Sequence, residues 1–346
     1  MPRRVAGNPG IGGVTWTLLL DAAAAEAIEA LRAEGIRAIL LKGPVTAQWL
    51  YSGDTPRSYT DVDLLVAPRK FPRALRTLED VGYRNYAGVR ETFVGGHAVP
   101  LRLERPSGAG RTNFPPGLSI DLHWRFDGIG VRDEVFWTVI SGDAERMLVG
   151  GREVEVPSEP ARALLLALHA GTFHRSFRQP LTDLDRALER LPDETWRAAR
   201  RLAVRLDALP RFIGGLGTQP LGLELIDRLD LKDALDVRSG LHTAGAPPAV
   251  ADGLVRLRAT RGIGPRVRIL ARALIPSRGS LRLTHRRLVR LGTPGLALAY
   301  VYRPFWLLAK LPAALRAYAR ARRVVEADHL GDRGDQGAGS RTDPAA

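Results

Sequence analysis

Two aspartates separated by a single valine, Asp61-Val62-Asp63, open the apolar run DVDLLV. In an extended strand, residues at i and i+2 project from the same face, so both carboxylates point the same way. Burying an ionised carboxylate is costly unless a positive partner meets it, and oxygen donors spaced like these can grip one divalent cation. A third carboxylate, Asp121, stands in SIDLHW, and the pair Lys42-Gly43 precedes a helix-starting proline. A strand-to-helix turn of that kind offers free backbone N–H groups and a positive helix end to a phosphate. Carboxylates on neighbouring strands beside such a turn compose a site for two-metal phosphoryl or nucleotidyl transfer. The plainer alternative is that the aspartates cap turns or pair with arginine, and that Lys42 and Arg57 are surface charges.

The elements that must hold these residues are legible in outline. Helical spacing covers residues 15–34 and Gly35 supplies a stop; IRAILL follows as a strand. Gly43 turns the chain, Pro44 opens a helix through Trp49 to Tyr51, and 54–59 carries turn chemistry. DVDLLV reads as a strand and Pro68 opens a helix to about Val81. Apolar positions partly alternate from Glu91 to Glu104, with Gly95-Gly96 as a hairpin turn or bulge. After a Gly- and Pro-rich loop over 106–117, LSIDLHWRF alternates with period two over 118–126. Beyond Pro157 the pattern turns helical, most clearly at 159–174, 181–191 and 194–208. These patterns predict an α/β domain with a mixed sheet over 1–157, a helical domain over 158–252, a basic helical region over 253–328 and a disordered tail over 329–346.

Composition narrows the chemistry. At 346 residues and 45% apolar, the chain can fill a sizeable core. The absence of cysteine removes disulfides, thiolate metal sites and cysteine nucleophiles, and fits a reducing cytoplasm. Any metal must sit on oxygen or histidine. The N-terminal arginines and apolar patch read as a flexible leader and a first helix, because Asp21 and Glu26 interrupt what would be a signal or a span.

The segments LKGPVTAQWLY, PRSYTDVDLLV and IDLHW, followed by a helix with spaced histidines, resemble the uncharacterised nucleotidyltransferases within the DNA polymerase beta-like superfamily. The motifs span residues 39–185. The resemblance implies Mg²⁺- or Mn²⁺-dependent transfer of a nucleoside monophosphate from an NTP to an acceptor, which could be a small molecule, a protein or RNA. It assigns Asp61, Asp63 and Asp121 to metal and catalysis. Many members of the superfamily have Gly-Ser where this chain has Gly43-Pro44, and proline donates neither an N–H nor a hydroxyl. Lys42 and Arg57 are the charged donors that could compensate. A catalytically silent nucleotide-binding protein that keeps the fold is the second reading, and Pro44 is its support.

His123 shares a face with Asp121 and has two readings, a substrate contact or the commoner satisfied structural histidine. His169 and His174 lie five apart, which is not the i, i+4 spacing of two ligands on one helix face, so a zinc site is not expected. The resemblance implies that this helical segment borders the substrate pocket, with Asp183 fixing a histidine tautomer; helix packing and capping are the plainer role.

The net charge of +14 is concentrated. Between Gly253 and Val325 lie 17 of the 51 Lys and Arg and none of the 37 Asp and Glu. The arginines interleave with apolar and aromatic residues, as in LALAYVYRPFWLLAKL. Three readings stay open: an anionic membrane surface that would make the protein peripheral, a polynucleotide, and helix faces turned to water.

Overall fold

The computed structural model describes residues 13–51, 57–85, 98–104, 114–173, 178–232, 237–243, 249–276, 281, 285–289 and 291–338. Seven strands form one mixed sheet: β1 Ala38–Leu40, β2 Asp61–Val66, β3 Tyr83–Asn85, β4 Ala98–Leu103, β5 Ser119–His123, β6 Glu145–Val149 and β7 Arg152–Val156. Their order is β3-β4-β5-β2-β1-β7-β6. β2 runs parallel to β5 and β1 parallel to β7, while the remaining pairs are antiparallel. The expected α/β architecture with a mixed sheet and a helical continuation is therefore the one the chain adopts.

Alternation along the central strands separates a core face from a polar face. Val62, Leu64 and Val66 of β2 and Ile120 and Leu122 of β5 enter one apolar core. Leu20, Ala24, Ile28 and Leu31 join that core from helix α1 (Gly13–Ala33), as do Phe71, Ala74 and Leu78 from α3 (Phe71–Asp80). Their spacing of three and four residues lays one apolar stripe on the sheet. Helix α1 stops where the sequence said it should: Gly35 has φ 64°, and the N–H groups of Ile36 and Gly35 reach back to the carbonyls of Leu31 and Arg32. These paired bonds satisfy carbonyls that the helix end would otherwise leave open. Between β1 and β2 lies α2 (Pro44–Leu50), and α4 (Asp133–Gly142) follows β5.

Three parts of the sheet domain go beyond the sequence reading, the first being the short strand β3 (Tyr83–Asn85). Helix α4 was not foreseen, and neither was the β6–β7 hairpin, whose two-residue turn is Gly150-Gly151 with φ of 56° and 76°. Positive φ at both turn residues matches the twist of the flanking strands, and glycine adopts it without steric cost. The expected Gly95-Gly96 hairpin lies outside the described residues.

The chain forms two compact units, one of Met1–Leu165 with Arg190–Ala208 and one of Leu166–Glu189 with Leu209–Ala346. Helices α5 (Glu159–Phe173), α6 (Gln179–Arg190) and α7 (Asp193–Arg205) match the predicted helices apart from shifts at their ends. Then come α8 (Leu209–Leu216), α9 (Pro220–Arg228), α10 (Val237–Thr243), α11 (Ala249–Ala259), α12 (Ile263–Leu274), α13 (Arg286–Val289) and α14 (Gly292–Ala338). Helix α14 runs past His329, where composition predicted disorder, since a helix once nucleated adds one hydrogen bond for each residue it fixes. Residues 339–346 of that predicted tail lie outside the described ones.

In the second unit the carboxyl half of α5 and α8 approach closely enough that only glycine fits between them. A Cβ on Gly215 would lie 2.0 Å from the carbonyl oxygen of Ala167. Gly215→Ala should therefore destabilise the protein by about 2 kcal/mol or more, because backbone must move. Gly142→Ala, at the end of α4 where a Cβ meets nothing within 4 Å, should instead leave stability unchanged or raise it by up to ~1 kcal/mol. Urea midpoints of the two variants measure the contrast.

Candidate active site

The parallel pairing of β2 and β5 sets Asp63 directly beside Asp121 and Leu65 beside His123. Because β2 and β5 send their even-numbered residues into the core, Asp61, Asp63, Asp121 and His123 share the opposite face. One ligand atom from each of Asp63, Asp121 and His123 can be chosen so that all three lie within 4.8 Å of one another. Asp61, at the exposed start of β2, is not part of that close group, yet its ionisation feels the charge of Asp63.

Two nitrogens converge on one oxygen of Asp63. Lys42 Nζ lies 3.3 Å from Oδ1, and His123 Nε2 lies 2.9 Å from the same atom. Asp63 is only 8% exposed and His123 only 3%, so these contacts are made largely away from water. His123 Nδ1 in turn lies 3.4 Å from the carbonyl oxygen of Arg125, which can only accept a hydrogen bond. A ring that donates through Nδ1 to Arg125 turns Nε2 toward a carboxylate oxygen. In that arrangement a proton or a shared cation must lie between Nε2 and the carboxylate oxygen. The donor set thus fits a divalent metal: Asp63 and Asp121 offer the oxygen ligands suited to Mg²⁺ or Mn²⁺, and His123 can orient Asp63 or add a nitrogen.

The electrostatics point the same way. Burial, followed by the neighbouring charge of Asp63, pushes the Asp121 carboxyl up to about 7 from its ordinary value near 3.8. Asp61 is also raised, first by loss of solvent and then by Asp63, while Lys42, Arg57 and His123 pull it back down. Crowded carboxylates that resist ionisation together are groups whose protons a cation can replace.

The turn before α2 is built around Gly43. Its φ is 74°, and a Cβ there would stand 3.2 Å from the carbonyl oxygen of Asp61 and 3.3 Å from Val62 Cγ1. Both the torsion and the space call for glycine, which brings Lys42 and the start of α2 against the start of β2. Arg57 is placed at the same end of β2, with its guanidinium 6.0 Å from the Tyr59 ring centre and its charge felt by Asp61.

Of the remaining candidates, His169 and Asp183 belong to the second unit, where Asp183 is buried and accepts a hydrogen bond from Gln179 Nε2 at 2.9 Å. His174 lies outside the described residues. Two features of the site escaped the sequence reading. Phe126 places its ring 5.4 Å from Lys42 Nζ and stacks on His123 at 6.3 Å. Tyr59 donates its hydroxyl to Asp21 and packs beside Gly43, and burial raises the pKa of both phenol and carboxyl. An alternating pattern in SIDLHWRF cannot show that the chain folds Phe126 back over the lysine.

Residues 16–218 match the model of a family described as uncharacterised nucleotidyltransferase. A search among curated proteins finds no match. Among solved structures, the antibiotic-resistance factor ANT(2'')-Ia aligns over 57% of this chain and 96% of its own, at 12% identity and TM-score 0.37. The lincosamide antibiotic adenylyltransferase LnuA, lincomycin-bound, aligns over 46% and 91%, at 14% identity and TM-score 0.31. An antigenic nucleotidyltransferase-like protein from Paracoccidioides brasiliensis aligns over 55% and 92%, at 17% identity and TM-score 0.32.

The raised pKa of Asp121 has a thermodynamic signature. Between about pH 4 and 7 the folded chain keeps a proton that the unfolded chain has released, so Asp121 costs stability increasingly as pH rises through that window. Asp121→Asn removes the titration. With EDTA present, the variant should match the parent near pH 4 and exceed it above pH 7 by on the order of 2 kcal/mol. Parallel melting curves across pH check this; a constant difference would contradict it.

Proposed function

This chain belongs to the uncharacterised nucleotidyltransferase family, and on that premise we propose that it transfers a nucleoside monophosphate from an NTP to an acceptor hydroxyl or phosphate, releasing pyrophosphate. The observation that carries the reading is the meeting of Asp63, Asp121 and His123 on adjacent parallel strands, at the foot of the Gly43 turn. Asp61, Asp63 and Asp121 would hold Mg²⁺ or Mn²⁺. That cation supplies charge neutralisation of the triphosphate and acidifies oxygens bound to it.

The chain's own groups divide the remaining work. Gly43 carries no side chain, so a phosphate can approach the backbone beside β2. Lys42 reaches Asp63 in this structure and has a stem long enough to turn its ammonium to phosphate oxygens. Arg57 brings a second positive charge to the same end of the strand and would contact the phosphates in the ground state. His123 holds Asp63 in orientation through Nε2. The acceptor oxygen forms a bond to the α-phosphorus as the bond to pyrophosphate breaks, and Asp121 Oδ takes the acceptor proton. A reaction that draws on NTP and Mg²⁺ would suit a cytoplasmic protein.

Incubation with α-labelled NTPs, Mg²⁺ or Mn²⁺ and a cell lysate tests the proposal. Label transferred to an acceptor supports it, whereas nucleotide bound without transfer favours the silent protein that Pro44 would allow. Asp63→Asn should lower transfer about a hundredfold or more while circular dichroism still reports a folded chain. Arg57→Ala should raise the KM for NTP about tenfold with little change in kcat, as expected when ground-state phosphate binding is lost. An unchanged KM would return Arg57 to the role of a surface charge.

A further inference from the structure

The second unit turns its large apolar residues outward. On α12, Ile263, Val267, Leu270 and Leu274 follow each other at helical spacing along one face, and all four are exposed, Ile263 at 82%. On α14, Leu298, Val301, Phe305 and Leu308 form a second exposed row, with Val301 and Phe305 each at 64%. What α14 buries is small: Ala299, Ala314, Ala317 and Ala321 lie on the opposite side of the helix. A helix that packs alanines inward and sets leucine, valine and phenylalanine outward has its polarity reversed relative to one that faces water. The two helices are fastened together, since Arg303 Nε donates to the carbonyl of Ala273 at 3.2 Å and Tyr300 to that of Pro276 at 3.0 Å.

Charge says what the rows face. Arg266 lies beside the row on α12, and Arg316, Arg320 and Arg323 continue the exposed face of α14 beyond its apolar stretch; all are exposed. No acidic residue occurs between Gly253 and Val325. A partner must therefore offer an apolar interior behind an anionic surface. Among the described residues no helix is long and apolar enough to cross a membrane, so the rows would lie along a bilayer rather than through it.

We infer that α12 and α14 form a peripheral docking surface for an anionic lipid bilayer, the apolar rows entering the headgroup layer and the arginines meeting acidic headgroups. A polynucleotide would use the arginines but would leave the aliphatic rows in water. The energy divides accordingly: burial of the rows resists salt, and the arginine attraction weakens as screening shortens.

Sedimentation of the full chain with phosphatidylserine–phosphatidylcholine vesicles tests this. The protein should bind these and bind pure phosphatidylcholine far more weakly. Val301→Asp with Phe305→Asp should weaken vesicle binding about tenfold or more without changing the melting curve, because both side chains are already exposed. Arg316→Glu with Arg320→Glu should weaken binding to the acidic vesicles alone. Leu148→Asp, an equally exposed apolar residue on β6, should bind like the parent. Vesicle binding indifferent to the Val301 and Phe305 changes would overturn the proposal. So would binding of RNA homopolymer without vesicles, or binding of neither at low salt.

Discussion

One buried oxygen organises this protein's polar centre. Asp63 Oδ1 receives Lys42 and His123 together, in a strand where the residues directly before and after it, Val62 and Leu64, are apolar. The cost of an unpaired charge in that position is several kcal/mol, so the parts that deliver its partners are as constrained as the aspartate itself. Lys42 arrives because Gly43 lets the chain turn tightly over the start of β2, and His123 arrives because β5 runs parallel to β2 in fixed register. Core and site are then two faces of the same pair of strands. Packing that fixes Val62, Leu64, Ile120 and Leu122 against α1 and α3 also fixes the carboxylates behind them.

Much of this was legible because period-two alternation is a strong signal. DVDLLV and LSIDLHWRF could each be read as strands with one polar face, and i, i+2 spacing put Asp61 with Asp63 and Asp121 with His123. Alternation says nothing, however, about which strands become neighbours. That His123 reaches Asp63 across the sheet depends on the β5-β2 adjacency, which is a property of topology. The plainer role considered for His123, a satisfied structural histidine, and its place beside the metal-binding group are therefore both descriptions of one contact.

Elsewhere the sequence carried signals of uneven strength. Gly150-Gly151 between MLV and REVEV is a hairpin sign of the usual kind, but the strands it joins are hard to read because REVEV is largely charged and reads as surface. Charged residues are compatible with a two-strand edge, where one face stays in water. Helices α5, α6 and α7 are plain in the sequence, since their apolar stripes repeat over three or more turns. The exposed rows of α12 and α14 could not be read so directly: LALAYVYRPFWLLAKL shows that the segment is apolar, but only the packing shows which of its residues the fold leaves outside.

The parallel register of β2 and β5 separates the placement of the reacting groups from the length of the chain that joins them. Register is quantised in whole residues, and a slip by one would set Leu122 beside Asp63 and turn Asp121 to the face opposite Asp61 and Asp63. Residues inserted between β2 and β5 outside the paired strands would change no partner of Asp63, so the centre of the site depends on the ladder and not on the length of chain between them. The sheet works as an indexing device, and diversification in such a fold falls on the segments that the index does not count.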